Sequence, residues 1–225
     1  MMEKLGKEAI LLNLNQDVMQ MLNFAIESIY QSMEAFLGND KEIARKVIVE
    51  DIRINELENK IEQEGLACLA LYQPEAKDLR YVVGVLKMIT DIERIGDLAA
   101  NISQATLEIN HHEDEIVKED LQSLYRQTIE MIQLALDAFL TKDIIKAKSV
   151  LKVDDLIDEI TNTIFKETMI KMCGHSQHIK HYIQNLLVSR HLERIGDHTT
   201  NIAEHTIFIY GGVNVKHIHT EDDYS

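Results

Sequence analysis

Apolar positions along this chain recur at three- and four-residue intervals over long stretches, and only short polar interruptions divide them. Gly38-Asn39-Asp40 closes a first predicted helix, and a second runs from there to about Tyr72. Pro74 fits the first turn of a third, where its missing N–H costs nothing. Further on, Thr141-Lys142-Asp143 and Gly174 divide three more, and Gly211-Gly212 ends the last. Asp40 and Asp143 both stand where a helix N-cap is needed. Connections this short join antiparallel neighbours, so the pattern predicts an all-α fold of two tandem antiparallel three-helix bundles. The expected units are residues 1–112 and 113–212, linked through the polar stretch Asn110 to Glu115 and followed by a polar tail, 213–225. On the third helix, Met88, Ile92, Ile95, Ala99 and Ile102 fall on one side at about 100° per residue and mark its core face.

The halves are copies of one another. Residues 35–51 align without a gap on 138–154, sharing Ala, Phe, Leu, Asp, Ala, Val and a final Asp at an offset of 103. Residues 93–102 (ERIGDLAANI) align on 193–202 (ERIGDHTTNI) at an offset of 100, with seven of ten positions identical. Order and near-constant offset identify an internal repeat.

Composition supports the helical reading, since one proline and nine glycines in 225 residues leave few breaks. A formal net charge of −15 has the wrong sign for nucleic acid and suits cations or basic protein faces. No apolar run approaches the ~20 residues of a membrane span, and Met1 to Glu8 lacks the order of a secretion signal, so a cytoplasmic protein is expected. Cys68 and Cys173 form no Cys-x-x-Cys pair and read as two buried thiols.

The repeated acids carry the candidate chemistry. Glu93, Asp97 and Asn101, and their copies Glu193, Asp197 and Asn201, are spaced i, i+4, i+8 roughly opposite the core stripe and are expected to face outward. The second helix of each copy adds Asp51 with Asn55 and Asp154 with Asp158. Antiparallel packing brings these pairs together, giving one site of Asp51, Asn55, Glu93 and Asp97 and a twin of Asp154, Asp158, Glu193 and Asp197. Oxygen-only ligands suit Mg²⁺, Ca²⁺, Mn²⁺ or iron rather than zinc or copper. The structural rival is that Arg94 and Arg194, inside the same strings, neutralise the acids as ion-pair partners. A single acid pair at this spacing is usually solvated surface; recurrence at matched positions raises the weight of a cation site.

Other constellations are weaker. His191, His198 and His205 share one side of the last helix but lie ~10 Å apart along it, too far to chelate one ion, and read as boundary positions. His217-x-His219 lies in the polar tail and reads as chance. The scattered methionines, Met1, Met2, Met19, Met21, Met33, Met88, Met131, Met169 and Met172, read as gap-filling core or chain start. A carboxylate-bridged di-metal enzyme would need inward Glu-x-x-His motifs, and the chain offers one such string, Glu108 to His111, at a helix end. Glycine-rich phosphate loops, G-x-S-x-G elbows and histidine zinc motifs are missing from the sequence, which argues against an enzyme.

The two ERIGD strings, the Asp-x-x-x-Asn/Asp pairs at 51 and 154, and Gln73-Pro74 to Asp78-Leu79-Arg80 together make this chain resemble the PhoU family of phosphate-transport regulators. The resemblance implies two three-helix bundles and metal ions, often iron, held by Asp51, Glu93, Asp97, Asp154, Asp158, Glu193 and Asp197. Asn55 departs from the pattern, because an acid there would complete the first motif. The implied role is to couple a phosphate ABC importer, through its ATPase subunit, to a sensor histidine kinase and so restrain the phosphate-starvation response. The resemblance also implies a homodimer that meets the membrane only through its partners. A carboxylate-bridged di-metal enzyme and a metal-free helical adaptor are the alternatives.

Overall fold

The computed structural model describes residues 2–109, 118–174 and 178–215. The polar link, Glu108-x-x-His111 beyond Ile109, and His217-x-His219 lie outside them. The described residues form seven helical segments: α1 (Met2–Gly38), α2 (Lys41–Glu50), α3 (Ile52–Tyr72), α4 (Ala76–Glu108), α5 (Lys118–Thr141), α6 (Ile144–Gly174) and α7 (Ile179–Gly211).

Both predicted N-caps are in place. The Asp40 carboxylate accepts from the backbone N–H groups of Glu42 (2.9 Å) and Ile43 (3.0 Å), and that of Asp143 from Ile145 (2.9 Å) and Lys146 (3.1 Å). Each cap follows a residue with left-handed backbone, Asn39 at φ 52° and Lys142 at φ 56°, which turns the chain sharply enough to reverse it. Gly212, at φ 73°, closes α7 by donating its N–H to the Phe208 carbonyl at 3.0 Å. Pro74 lies two residues before α4 rather than in its first turn, because the chain passes through left-handed Gln73 and extended Glu75 first.

The expected second helix is divided at Asp51 into α2 and α3. The division is a tightened turn, not a bend away. Asp51 keeps right-handed helical backbone (φ −56°, ψ −28°), donates to the Val47 carbonyl at 3.2 Å, and shares its own carbonyl between the N–H groups of Ile54 (3.0 Å) and Asn55 (3.3 Å). α2 and α3 therefore act as one rod, and six rods make the two repeats. Its counterpart α6 runs unbroken.

The predicted core stripe of α4 is buried, with Met88, Ile92, Ile95, Ala99 and Ile102 at 0% exposure. Val188, Leu192, Ile195 and Ile202 do the same for α7. The two bundles pack on one another, since α4 and α7 form the most extensive helix contact among the described residues and one continuous apolar cluster runs through both halves. A Cβ on Gly84 would fall 2.3 Å from Ile209 Cγ1, so glycine sets how closely the two central helices approach. Tyr30 of α1 and Tyr125 of α5 meet edge to face at 6.1 Å and extend the contact outward. Cys68 is buried, but Cys173 is exposed on the solvent side of α6 near its end, as is Met169, which corrects the reading of both as interior residues.

Candidate metal centre

The eight predicted ligands collect in two seams, one between α3 and α4 and its copy between α6 and α7. Close approach is made possible by the glycine inside each ERIGD string. A Cβ on Gly96 would lie 2.7 Å from Ile54 Cδ1 and 3.0 Å from Asp51 Oδ1, and one on Gly196 would lie 3.3 Å from Ile157 Cδ1 and 3.5 Å from Asp154 Oδ1. The helix carrying the Asp pair thus leans over the bare backbone of the helix carrying the Glu and Asp.

This placement corrects the outward orientation expected for the acids. The Glu93 side chain is 17% exposed and that of Glu193 12%, because the neighbouring helix covers the flank on which they stand. Asp51, Asn55, Asp97 and Asp154 are half-buried, while Asp158 and Asp197 sit at the exposed rim. Asn101 is exposed and takes no part, and Asn201 turns toward α4 instead.

The chemistry of each seam is that of oxygen without enough donors. Asp51 Oδ1, Asn55 Oδ1, Asp154 Oδ1 and Glu193 Oε2 are each buried and without a hydrogen-bond partner. Burial pushes the Asp51 carboxyl up, with Asp97 adding to it, and Glu93 rises through burial and the same neighbour. Asp154 is pushed up to about 6 by burial and by the nearby charges of Asp197 and Asp158. Glu193 rises through burial and Asp197, against Arg190, and Asp197 through burial and Asp158. Crowded carboxylates with orphaned oxygens fit a hard cation, which would supply the missing positive charge.

Arginine supplies part of that charge. Arg94 Nη1 donates to Asp97 Oδ2 at 3.1 Å, and its Nε lies 3.5 Å from Glu93 Oε2, as the structural rival required. In the second seam the guanidinium is that of Arg190, which donates to Glu193 Oε1 at 2.6 Å; Arg194 is exposed and reaches Asp197 only through its charge. Among the described residues no group of three or more His, Cys, Asp or Glu side chains stands already converged on one point. A cation would draw the carboxylates inward by rotamer changes of exposed and half-exposed side chains.

The seams are not equivalent. Asn55 Nδ2 donates to Asp51 Oδ2 at 3.2 Å, so the first carries an internal staple where the second carries Asp158, a further negative charge. Glu58 also faces the first seam, raised by burial and by Glu62, with Asp97 and Arg94 nearby. Its position seven residues after Asp51 was the available signal, since that spacing returns to the same side of a helix.

A second polar cluster escaped sequence reasoning. Asp91 of α4 accepts from Asn201 Nδ2 at 2.9 Å and meets His198 Nδ1 at 2.9 Å with one oxygen, and meets His205 Nε2 at 3.2 Å with the other. Burial alone would raise this carboxyl, but the bonds from His198, His205 and Asn201 hold it well below the usual carboxylate range. Two of the three histidines placed at a boundary therefore join the repeats across the α4–α7 contact. Nothing in the repeat pattern pointed to Asp91, whose counterpart at an offset of 100 is His191.

Comparison with known proteins gives this architecture a family. The PhoU domain model matches twice, over residues 18–106 and 121–206. The phosphate-specific transport system accessory protein PhoU homolog 1 of Thermotoga maritima is 34% identical over 205 residues, covering 90% of this chain and 88% of that protein. The phosphate-specific transport system accessory protein PhoU of Escherichia coli K12 is 31% identical over 206 residues, covering 92% and 86%. The crystal structure of PhoU from Pseudomonas aeruginosa superposes with a TM-score of 0.88 at 30% identity, over 92% of this chain and 99% of that one. That of the phosphate transport system regulatory protein PhoU from Streptococcus pneumoniae gives 0.85 at 29%, over 93% and 99%. Two repeats of three rods, each bearing an ERIGD string beside an Asp-x-x-x-Asn or Asp-x-x-x-Asp pair, belong to a chain of the PhoU family.

Proposed function

We propose that this protein is a cytoplasmic negative regulator of the phosphate-starvation response and a modulator of phosphate uptake, coupling a phosphate ABC importer to a sensor histidine kinase. It acts by contact rather than catalysis, as a homodimer, and binds iron, Mn²⁺ or Mg²⁺ in the two acidic seams. The accessory and regulatory roles in the names of its relatives support the first part. The observation that carries the second is the recurrence, in both repeats, of buried carboxylate oxygens without partners. Asp51, Asn55, Glu93 and Asp97 would hold the ion in one seam and Asp154, Asp158, Glu193 and Asp197 in the other. A bound cation there would neutralise like charges that otherwise repel and would tie α3 to α4 and α6 to α7.

Deleting the gene is expected to raise phosphate-starvation transcripts in phosphate-rich medium, and silence of those genes after removal of every paralogue would refute the regulatory reading. Metal content of the purified protein tests the seams. Replacing Glu193 and Asp197 with alanine should lower bound iron or manganese while leaving helicity and melting temperature nearly unchanged or slightly raised. A sharp fall in melting temperature would assign these acids to structure. The metal-free adaptor is a second reading, favoured by the ion pairs of Arg94 with Asp97 and of Arg190 with Glu193. On that reading, metal content is negligible and the alanine pair is neutral for partner binding.

A further inference from the structure

The α3–α4 seam extends one level beyond its predicted ligands. The charge of Asp97 acts on Asp51, and the Thr90 hydroxyl donates to the Glu58 carboxylate, which also feels the charges of Arg94 and Asp97. These two pairings fix the antiparallel register, Asp51 against Asp97 and Glu58 against Thr90, and Asn55 then falls level with Glu93 between them. The charges of both Glu58 and Asp51 reach Glu93. Asp51, Asn55 and Glu58 stand at i, i+4 and i+7, on one side of α3. Glu58 is half-buried there, whereas Glu62, one turn further, is exposed.

The second repeat is an internal control. At an offset of 103 the copy of Glu58 is Thr161, and at an offset of 100 the copy of Thr90 is Arg190. Thr161 is buried with a hydroxyl that has no partner, and Arg190 donates to Glu193 at 2.6 Å. At this level the first seam therefore carries an acid and the second a base. At the neighbouring level the difference is reversed, with Asn55 in the first seam and Asp158 in the second. Each seam thus keeps four carboxylates, the first with its fourth at 58 and the second with its fourth at 158.

We infer that Glu58 is a cation ligand of the first seam and supplies there the carboxylate that Asn55 lacks. The inference rests on the reading of the seams as metal sites. The Cα–Cβ bonds of a helix tilt toward its N-terminus, so Glu58 on α3 leans back toward the level of Asn55, and Glu93 on antiparallel α4 leans toward the level of Glu58. Glutamate is one methylene longer than aspartate, which covers part of the ~4.5 Å rise between positions 55 and 58. Asp51 Oδ1 and Asn55 Oδ1, buried and without partners, lie on the same side of α3 and leave acceptors there for a cation to satisfy. Thr90 offers a hydroxyl and no charge, so it holds the Glu58 carboxylate in the seam without neutralising it. In the second seam Arg190 already occupies one oxygen of Glu193. The affinity of an oxygen site for a hard cation follows its charged ligands. With Arg94 beside its four carboxylates, the first seam should therefore hold Mn²⁺ at least as tightly as the second, where Arg190 and Arg194 both act.

The test is calorimetric titration of the full chain with Mn²⁺, in an Asp154→Asn, Asp158→Asn background so that binding reports the first seam. Glu58→Gln should weaken that binding at least about tenfold with unchanged circular dichroism. Adding Asn55→Asp to Glu58→Gln should recover most of the loss, because the carboxylate returns to the level it occupies in the second seam. Glu62→Gln removes the same charge from an exposed neighbour and should change affinity less than about twofold. Manganese anomalous scattering from crystals of the unsubstituted chain should place the ion in contact with Glu58, and this measurement carries the test if Glu58→Gln fails to fold. An ion placed away from Glu58, a Glu58→Gln affinity within about twofold of its background, or an equal loss in Glu62→Gln overturns the inference and leaves the seams as metal sites. Absence of Mn²⁺ binding to either seam of the unsubstituted chain would overturn the metal reading itself, and this inference with it.

Discussion

At the scale of single residues, the chain concentrates cost in carboxylates that lack donors. Asp154 is the extreme case, pushed up to about 6 from 3.8 by burial, then by Asp197 and Asp158. A carboxyl raised in the folded state binds protons more tightly than in the unfolded chain, so its contribution is present at low pH and is lost as pH rises through about 6. His191 runs the other way, lowered by burial and by Arg194, and loses stability as pH falls. Comparing variants separates them. In chelator-treated protein, Asp154→Asn should gain stability over wild type between about pH 4.5 and about pH 7.5, by roughly 1 kcal/mol after solvent screening. Thermal melts across that range read it, and a flat difference would refute the assigned cause. The Asn55 amide makes a second prediction. Among the eight predicted ligands the first seam has three carboxylates against four, so with Glu58 replaced by glutamine the first seam should bind Mn²⁺ more weakly than the second, and Asn55→Asp should narrow the gap in calorimetric titrations. If the first seam fills first, charge count does not set the order.

At the scale of helices, the spacing of α3 from α4 and of α6 from α7 rests on the glycine in each ERIGD string. The two copies of that glycine are under unequal pressure. Alanine at Gly96 meets Ile54 Cδ1 at 2.7 Å and Asp51 Oδ1 at 3.0 Å and should destabilise by about 1–3 kcal/mol, with weaker metal binding as α3 is displaced. Alanine at Gly196, with nearest contacts of 3.3 and 3.5 Å, should stay within about 1 kcal/mol of neutral, since helix propensity offsets the crowding. Urea unfolding of both variants decides this, and equal effects would mean that helix spacing is not set here. The helices themselves were legible, because caps such as Asp40 and Asp143 and the 3.6-residue apolar pattern act within a few residues. The tightened turn at Asp51 was not, because shared acceptance by one carbonyl leaves no mark in residue type.

At the scale of the whole molecule, the repeats are joined by an apolar contact between α4 and α7 that contains a polar cluster around Asp91 and, further along, a hydrogen bond from Gln184 to Glu108 at 2.8 Å. Removing Asp91 would leave His198, Asn201 and His205 together without their acceptor in a buried place. Asp91→Ala should therefore destabilise by about 2–4 kcal/mol, more than an exposed acid pair would. Chemical denaturation of the two halves followed separately would show the coupling, with the transitions separating in the variant. A loss below about 0.5 kcal/mol would mean that the Asp91 cluster does not hold the repeats together. The acids of the seams were found from sequence because they recur. Asp91 was missed because it occurs in one copy only and its partners lie more than a hundred positions away.

Sequence by itself determined the helices, their caps, the doubling and the identity of the eight seam residues, since these depend on local periodicity and on comparison of the chain with itself. Tertiary structure decided that Glu93 and Glu193 are covered rather than outward, that Arg190 rather than Arg194 bonds the second seam, and that α4 and α7 fuse two bundles into one core. Each of those depends on which neighbouring helix lies over a given flank. A helical wheel assigns a side chain an angle, but whether water or another helix occupies that angle follows from packing across the whole molecule.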